Sequence, residues 1–237
     1  MHLATVIANP DDLLALAPEQ LAGPLLVHLN SLSPARTRFG RTDLFHDSRF
    51  SNAWGEKTEA CHHALMEAWT VLERESLIAP HPANDHVYFV TRRGQALKSA
   101  ADYASFRHAL LFPKDSIHPM LEQAVYPLFL LGDYETAILK AFKEVEVAVK
   151  TAAPGLDPKL SGVDLMRKAF QPNGGPLSDQ KEPVAESEAL AALFAGAIGR
   201  FKNPASHRHV PVTSPQETIE ILQFASHLLR VVEDRAP

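Results

Sequence analysis

"DYETAILKAFKEVEVAVKTA", residues 133–152, is the stretch whose reading decides the fold. Tyr134, Ala137, Ile138, Ala141, Phe142, Val145 and Val149 recur at three- and four-residue spacing, which a 3.6-residue turn gathers onto one stripe. The pattern holds over five turns. Gly132-Asp133 supplies the start signal and Pro154-Gly155 the stop. Glu144 and Glu146 fall at the two edges of the stripe, and the pattern does not decide which of them faces the neighbouring helix end.

A helix with one long apolar face must bury it against other elements, and the chain around it offers helices. A short one is predicted from about Val163 to Phe170, followed by a Pro/Gly-rich loop. Ser214, Pro215 and Glu217 form an N-cap, a first-turn proline and a capping-box acid. They open a helix that runs to about Arg235 on the face of Ile219, Leu222, Ala225, Ser226 and Leu229. Another, from about Glu188, puts Leu190, Leu193, Phe194, Ala197, Ile198 and Phe201 on one stripe. From about Lys114 onward the chain reads as a helical bundle.

The first half is built differently. "LAPEQLAGPLLVHLNSL" has helical period through Leu21, Leu25, Leu26 and Leu29, and a second helix is predicted from about Thr58 to Ser76. Between them, Ser33 to Gly55 is irregular and carries Arg36, Arg38, Arg41 and Arg49. After Leu77-Ile78 a Pro/Asn/Asp turn leads to the β-prone Val87-Tyr88-Phe89-Val90, and Thr91 opens a new helix through Gly94. Helix, hairpin, helix resembles the closing half of a winged helix-turn-helix domain, over roughly Pro10 to Phe106. The expected division is a winged-helix-like domain over residues 1–110 and a helical bundle over 111–237, mainly α with one small β-hairpin.

Composition narrows the partners. The formal net charge is -5 and residues 1–110 hold ten Lys/Arg against twelve Asp/Glu, so neither the chain nor its first half carries the basic footprint of a nucleic-acid binder. Any such contact has to come from a local patch. Arg92 and Arg93, just after the wing strand, form one candidate. The one cysteine, Cys61, rules out an internal disulfide and any C-x-x-C metal framework. The N-terminus lacks the basic start of a signal peptide, and no apolar run is long enough to span a membrane, so a cytoplasmic protein with no membrane partner is expected. Cys61 reads as a packed small hydrophobe, and His62, His63, His81 and His86 as surface residues.

The densest polar stretch is "GRFKNPASHRHV", residues 199–210. At 100° per residue Arg200 and Lys202 fall on opposite shoulders of the apolar stripe. Pro204 ends the helix and biases Asn203 out of the α region. His207 follows one turn later, where its imidazole can return beside the helix terminus among fixed cations, a pairing suited to proton transfer at a phosphate. Arg208 adds a further cation for nucleic acid. His207 and His209 form His-x-His without a nearby acidic partner, so no metal site is expected.

"KNPASH" and "RFKNPASH" resemble the motif of the HEPN superfamily, an arginine, often followed by a polar residue, then histidine four to six residues on at the end of a helix. Within that superfamily the second half resembles the Ymh-type family of bacterial proteins, over Lys114 to Pro237. The resemblance implies a metal-independent, cofactor-free endoribonuclease in which His207 and a cation, Arg200 or Lys202 with Asn203, meet in a cleft of a homodimer. An acid such as Glu144 from the earlier helix accompanies them, RNA is the implied partner, and a toxin or phage-defence effector the implied setting. With four intervening residues the cation is Lys202; with six it is Arg200. A different class of reading is a non-catalytic regulator binding DNA, nucleotide or a protein partner, with DNA contacted through the first half.

Overall fold

The computed structural model describes residues 7, 9–32, 38–40, 54–203 and 212–236. The chain is mainly helical and divides into two compact units, residues 1–106 and 107–237.

In the first unit, α1 (Pro10–Ala15) and α2 (Pro18–Ser31) each begin at a proline, whose fixed φ suits the first helical position. Asn9 caps α1, and the Gln20 side chain accepts from the Ala17 N–H at the start of α2. A two-residue strand, β1 (Phe39–Gly40), follows, then α3 (Thr58–Arg74). The helix ends where Ser76 takes a left-handed φ of 57°. The expected hairpin is present as β2 (Ile78–His81) and β3 (Asn84–Val90). It belongs to a three-stranded antiparallel sheet in the order β1-β3-β2, with Phe39 opposite Tyr88 and Ile78 opposite Val90. The extra strand lies inside the stretch the sequence pattern reads as irregular, because two residues are too few to show an alternation.

The sheet packs its Phe39 and Tyr88 rings edge-on against Trp69 of α3, at 5.6 and 5.0 Å between centroids. Leu21, Leu25, Leu26, Leu65 and Leu72 complete this core, with Cys61 fully buried among them. After β3, Thr91 caps α4 (Arg92–Ala96) by accepting from the Gly94 N–H, and its hydroxyl donates to the Ser76 carbonyl. Asn30 joins the end of α2 to α4, donating to the carbonyls of Gly94 and Leu97 at 3.0 and 2.9 Å. Gly94 admits no side chain, since a Cβ there would stand 2.2 Å from the Leu77 carbonyl oxygen. His62 departs from the surface reading: it is half-buried, its ring edge-on to Trp54.

The division between units falls within α5 (Ala100–Leu111). The second unit then runs through α6 (Pro119–Ala124), α7 (Tyr126–Leu130), α8 (Tyr134–Ala152), α9 (Gly162–Ala169), α10 (Val184–Ala197) and α11 (Pro215–Arg235). The helix read from residues 133–152 is α8, capped by Asp133, and its seven stripe residues are all buried. Helices α6, α7, α9 and α11 all pack on it, which makes α8 the axis of the bundle. Ser214 caps α11 by accepting from the Glu217 N–H at 3.2 Å. Phe170, at the end of α9, stacks on Phe194 of α10 at 4.1 Å.

Two details differ from the pattern reading of α10. It starts at Val184, four residues early, because "VAES" exposes three of its four side chains and so shows no apolar period. Leu193, placed on the buried stripe, is 43% exposed, while Phe194 is fully buried. No helix among the described residues is long and apolar enough to cross a membrane.

Candidate functional site

Helix α10 does not end as an α-helix. Its last turn, Ile198–Lys202, is π-helical, and the Asn203 N–H reaches back five residues to the Ile198 carbonyl at 3.2 Å. Such wide turns recur at functional sites because they hold an extra residue without breaking the helix. Asn203 itself stays in the right-handed α region, at φ -61° and ψ -47°. The expectation that Pro204 would turn Asn203 out of that region is therefore corrected: the backbone bond to Ile198 outweighs the pre-proline bias.

The side chains of this turn diverge. Phe201 stacks on Phe142 of α8 at 4.8 Å and 23°, and meets Phe224 of α11 edge-on at 6.3 Å. Ile198 is fully buried. Arg200 is exposed, its guanidinium carbon 5.9 Å from the centroid of the Phe201 ring. Lys202 turns the other way and forms an ion pair with Glu146 of α8, whose side chain is 11% exposed. The opposite shoulders read from the helical wheel are thus realised as one cation in water and one half-buried against Glu146.

Glu146 is the acid that α8 presents here. One carboxylate oxygen meets the Lys202 ammonium, and the other accepts from the Gly162 N–H at 2.6 Å, at the first residue of α9. Burial by itself pushes this carboxyl up, but the Lys202 ammonium and the Gly162 N–H more than offset it, and the group titrates below its ordinary value. The start of α9 adds the favourable end of a helix dipole. Gly162 holds a left-handed φ of 61°, a conformation that lets its N–H meet the carboxylate and that favours glycine. The Asn203 side-chain oxygen lies 4.0 Å from where a Cβ on Gly162 would be.

Of the residues singled out by sequence, the structure thus brings together Lys202 and Asn203, with Glu146 and Gly162 between α8 and α9. Glu144 is half-buried on the other edge of the α8 stripe. His207, Arg208 and His209 lie outside the described residues. In the first unit Arg92 and Arg93 are both exposed, and Arg93 donates to the Glu75 carbonyl at 3.3 Å and lies 5.4 Å from the centroid of the Phe106 ring.

Sequence reasoning passed over two histidines that the fold uses. His118 is 2% exposed and caps α6: its Nδ1 accepts from the Met120 N–H, and its Nε2 lies 3.1 Å from the Glu233 carboxylate. His108 bridges the Leu130 carbonyl at Nδ1 and the Tyr134 hydroxyl at Nε2. The signal for His118 was available as His-Pro before an apolar run, a capping pattern. No group of three or more His, Cys, Asp or Glu suited to a metal ion occurs among the described residues.

In the helical unit the candidate site lies at a helix end, where a π turn, an exposed guanidinium and a half-buried ammonium paired with a buried carboxylate come together. Residues 115–232 match the family model described as "Protein of unknown function (Hypoth_ymh)", which covers nearly all of that unit. No curated protein and no solved structure matches the chain significantly.

Proposed function

We propose that the helical unit is a metal-independent endoribonuclease of HEPN type that acts on RNA as a homodimer, in the setting of a bacterial toxin or phage-defence effector. The observation that carries this reading is the division of labour between the two cations of the motif. Lys202 is held by Glu146, so its charge is already balanced. Arg200 stands in water two residues before the end of the helix at Lys202, with a planar fork suited to two phosphate oxygens. That supports the longer register, with Arg200 as the phosphate-binding cation and Lys202 with Glu146 as positioning groups.

In the reaction, His207 takes the proton of a ribose 2′-hydroxyl, and the 2′-oxygen attacks the adjacent phosphorus. The P–O5′ bond breaks, the 5′-oxygen takes a proton from the His207 imidazolium just formed or from water, and a 2′,3′-cyclic phosphate remains. The Arg200 guanidinium balances the charge that gathers on the non-bridging oxygens. The test is cleavage of single-stranded RNA and tRNA by the full chain with EDTA present. Wild type is expected to cut and His207→Ala to lose at least about a hundredfold in rate. Arg200→Ala should lose more than Lys202→Ala in kcat. Equal activity of wild type and His207→Ala removes the enzyme.

A second reading, a non-catalytic regulator that contacts DNA, draws on the exposed Arg92 directly after the β2–β3 hairpin. It requires salt-dependent binding of duplex DNA that Arg92→Ala weakens.

A further inference from the structure

The first unit holds a cavity of about 590 Å³ that neither reading uses. Its volume falls within the ~300–1,000 Å³ typical of small-molecule clefts. The cavity lies where the end of α2 meets the strands and α4, and Leu29, Leu32, Phe39 and Phe89 make much of its wall. Such a wall suits a flat apolar body. Among the described lining residues none is acidic, although residues 1–110 carry more acids than bases.

The polar groups on the wall are fixed by the backbone, and their remaining valences can be read. His81 Nδ1 accepts from the Ala83 N–H at 3.2 Å, so the neutral ring carries its proton on Nε2 and offers a donor there. Asn30 has committed its amide nitrogen to the Gly94 and Leu97 carbonyls, which leaves its carbonyl oxygen as an acceptor. Gln95 is anchored by donating to the Val90 carbonyl at 2.9 Å. Arg38 supplies the one permanent charge on the described wall.

We propose that this cavity binds a small organic monocarboxylate with a flat apolar body. Arg38 and the His81 Nε2–H take the carboxylate, the leucine and phenylalanine side chains form the open wall on which the body rests, and Asn30 accepts a hydrogen bond from a hydroxyl on it. Among the described lining residues, one guanidinium with one neutral donor matches a single negative charge. A phosphate dianion would leave charge unbalanced in a largely apolar wall. The proposal is independent of the nuclease reading.

The test is isothermal titration of the full chain with 2-naphthoate, 3-hydroxy-2-naphthoate and the uncharged 2-naphthamide. Both carboxylates are expected to bind, the hydroxylated one more tightly. The amide should bind about tenfold or more weakly, the scale of a lost charged hydrogen bond. Arg38→Ala, a change at an exposed side chain, should weaken both carboxylates by a similar factor and leave the amide unchanged, and Arg38→Lys should fall between. Phe89→Ala should weaken all three, with circular dichroism confirming that each variant is folded. Absence of binding to the wild-type chain overturns the proposal. So does equal affinity for 2-naphthoate and its amide, or undiminished carboxylate affinity in Arg38→Ala.

Discussion

Replacing Lys202 by methionine tests whether the π turn is held to the bundle by charge. The substitution keeps most of the aliphatic stem and removes the ammonium, leaving Glu146 buried with the Gly162 N–H as the chief remaining compensation. Breaking a fully buried pair from one side costs about 3–5 kcal/mol. Here the Lys202 side chain is 22% exposed, and water reaches the edge of the pair, so about 2–4 kcal/mol is the expected cost. In a unit of this size that lowers Tm by about 6–15 °C. Glu146→Gln should cost less, about 1–2 kcal/mol, because the amide oxygen still accepts from Gly162 and the lysine can turn to water. The double variant should fall short of the sum by at least about 1 kcal/mol.

The assay has to be chosen with the two units in mind. Both tryptophans, Trp54 and Trp69, lie in the first unit, so their fluorescence reports on the wrong half of the chain. Urea unfolding followed by far-ultraviolet circular dichroism reports the helices, and the tryptophan signal serves as an internal reference. Acid supplies a second handle. The folded Glu146 carboxyl titrates below its ordinary 4.5, so the unfolded chain takes up that proton first as the pH falls. Its stabilising contribution is complete above the ordinary value and is lost as the pH drops through the depressed one. The coupling between residues 146 and 202 should therefore be present at pH 7 and should decline only as the pH falls below the ordinary carboxylate range, through the depressed value. A Lys202→Met cost below about 0.5 kcal/mol, or costs that simply add at pH 7, refutes the reasoning.

The glycine that meets this carboxylate and the lone thiol give two further predictions. Gly162→Ala has room for its methyl but not the right backbone, since φ is 61°; it should cost about 1–2 kcal/mol by urea unfolding, and Gly162→Asn less. Equal stability of the alanine variant would show that this turn relaxes freely. Cys61 is fully buried and its thiol is pushed up by that burial, so a disulfide reagent at pH 8 should label it only as fast as the first unit opens. Immediate labelling of the folded chain would contradict the packing described.

What was legible in the sequence follows from how the signals arise. A long stripe such as Tyr134 to Val149 repeats its period often enough to override any local exception, and the Ser214-Pro215-Glu217 cap states its own geometry. The hairpin was marked by its turn and its β-branched and aromatic run. By contrast, β1 is two residues long, and its role appears only through its pairing with Tyr88 and Val87. Leu193 shows the limit of a helical wheel, which ranks residues by angle and cannot know which neighbours arrive to cover them. Glu144 and Glu146 were equivalent at the level of period. What separates them is tertiary: α9 begins beside Glu146 and delivers an N–H to it.

The π turn is the feature that no period reveals, and the arrangement of Arg200, Phe201 and Lys202 depends on it. In a regular helix Lys202 would sit one turn beyond Ile198 and share its face, which is buried completely. Widening that turn by one residue separates the two: Ile198 keeps its place in the core, Phe201 lies flat on Phe142, and Lys202 meets Glu146 at the rim. The less regular backbone is offset by a ring stack and an ion pair that the regular turn would not form together. Arg200 is left facing solvent as a consequence. An arginine introduced at position 202 would for the same reason be drawn to the Glu146 carboxylate and would not be left in water as Arg200 is.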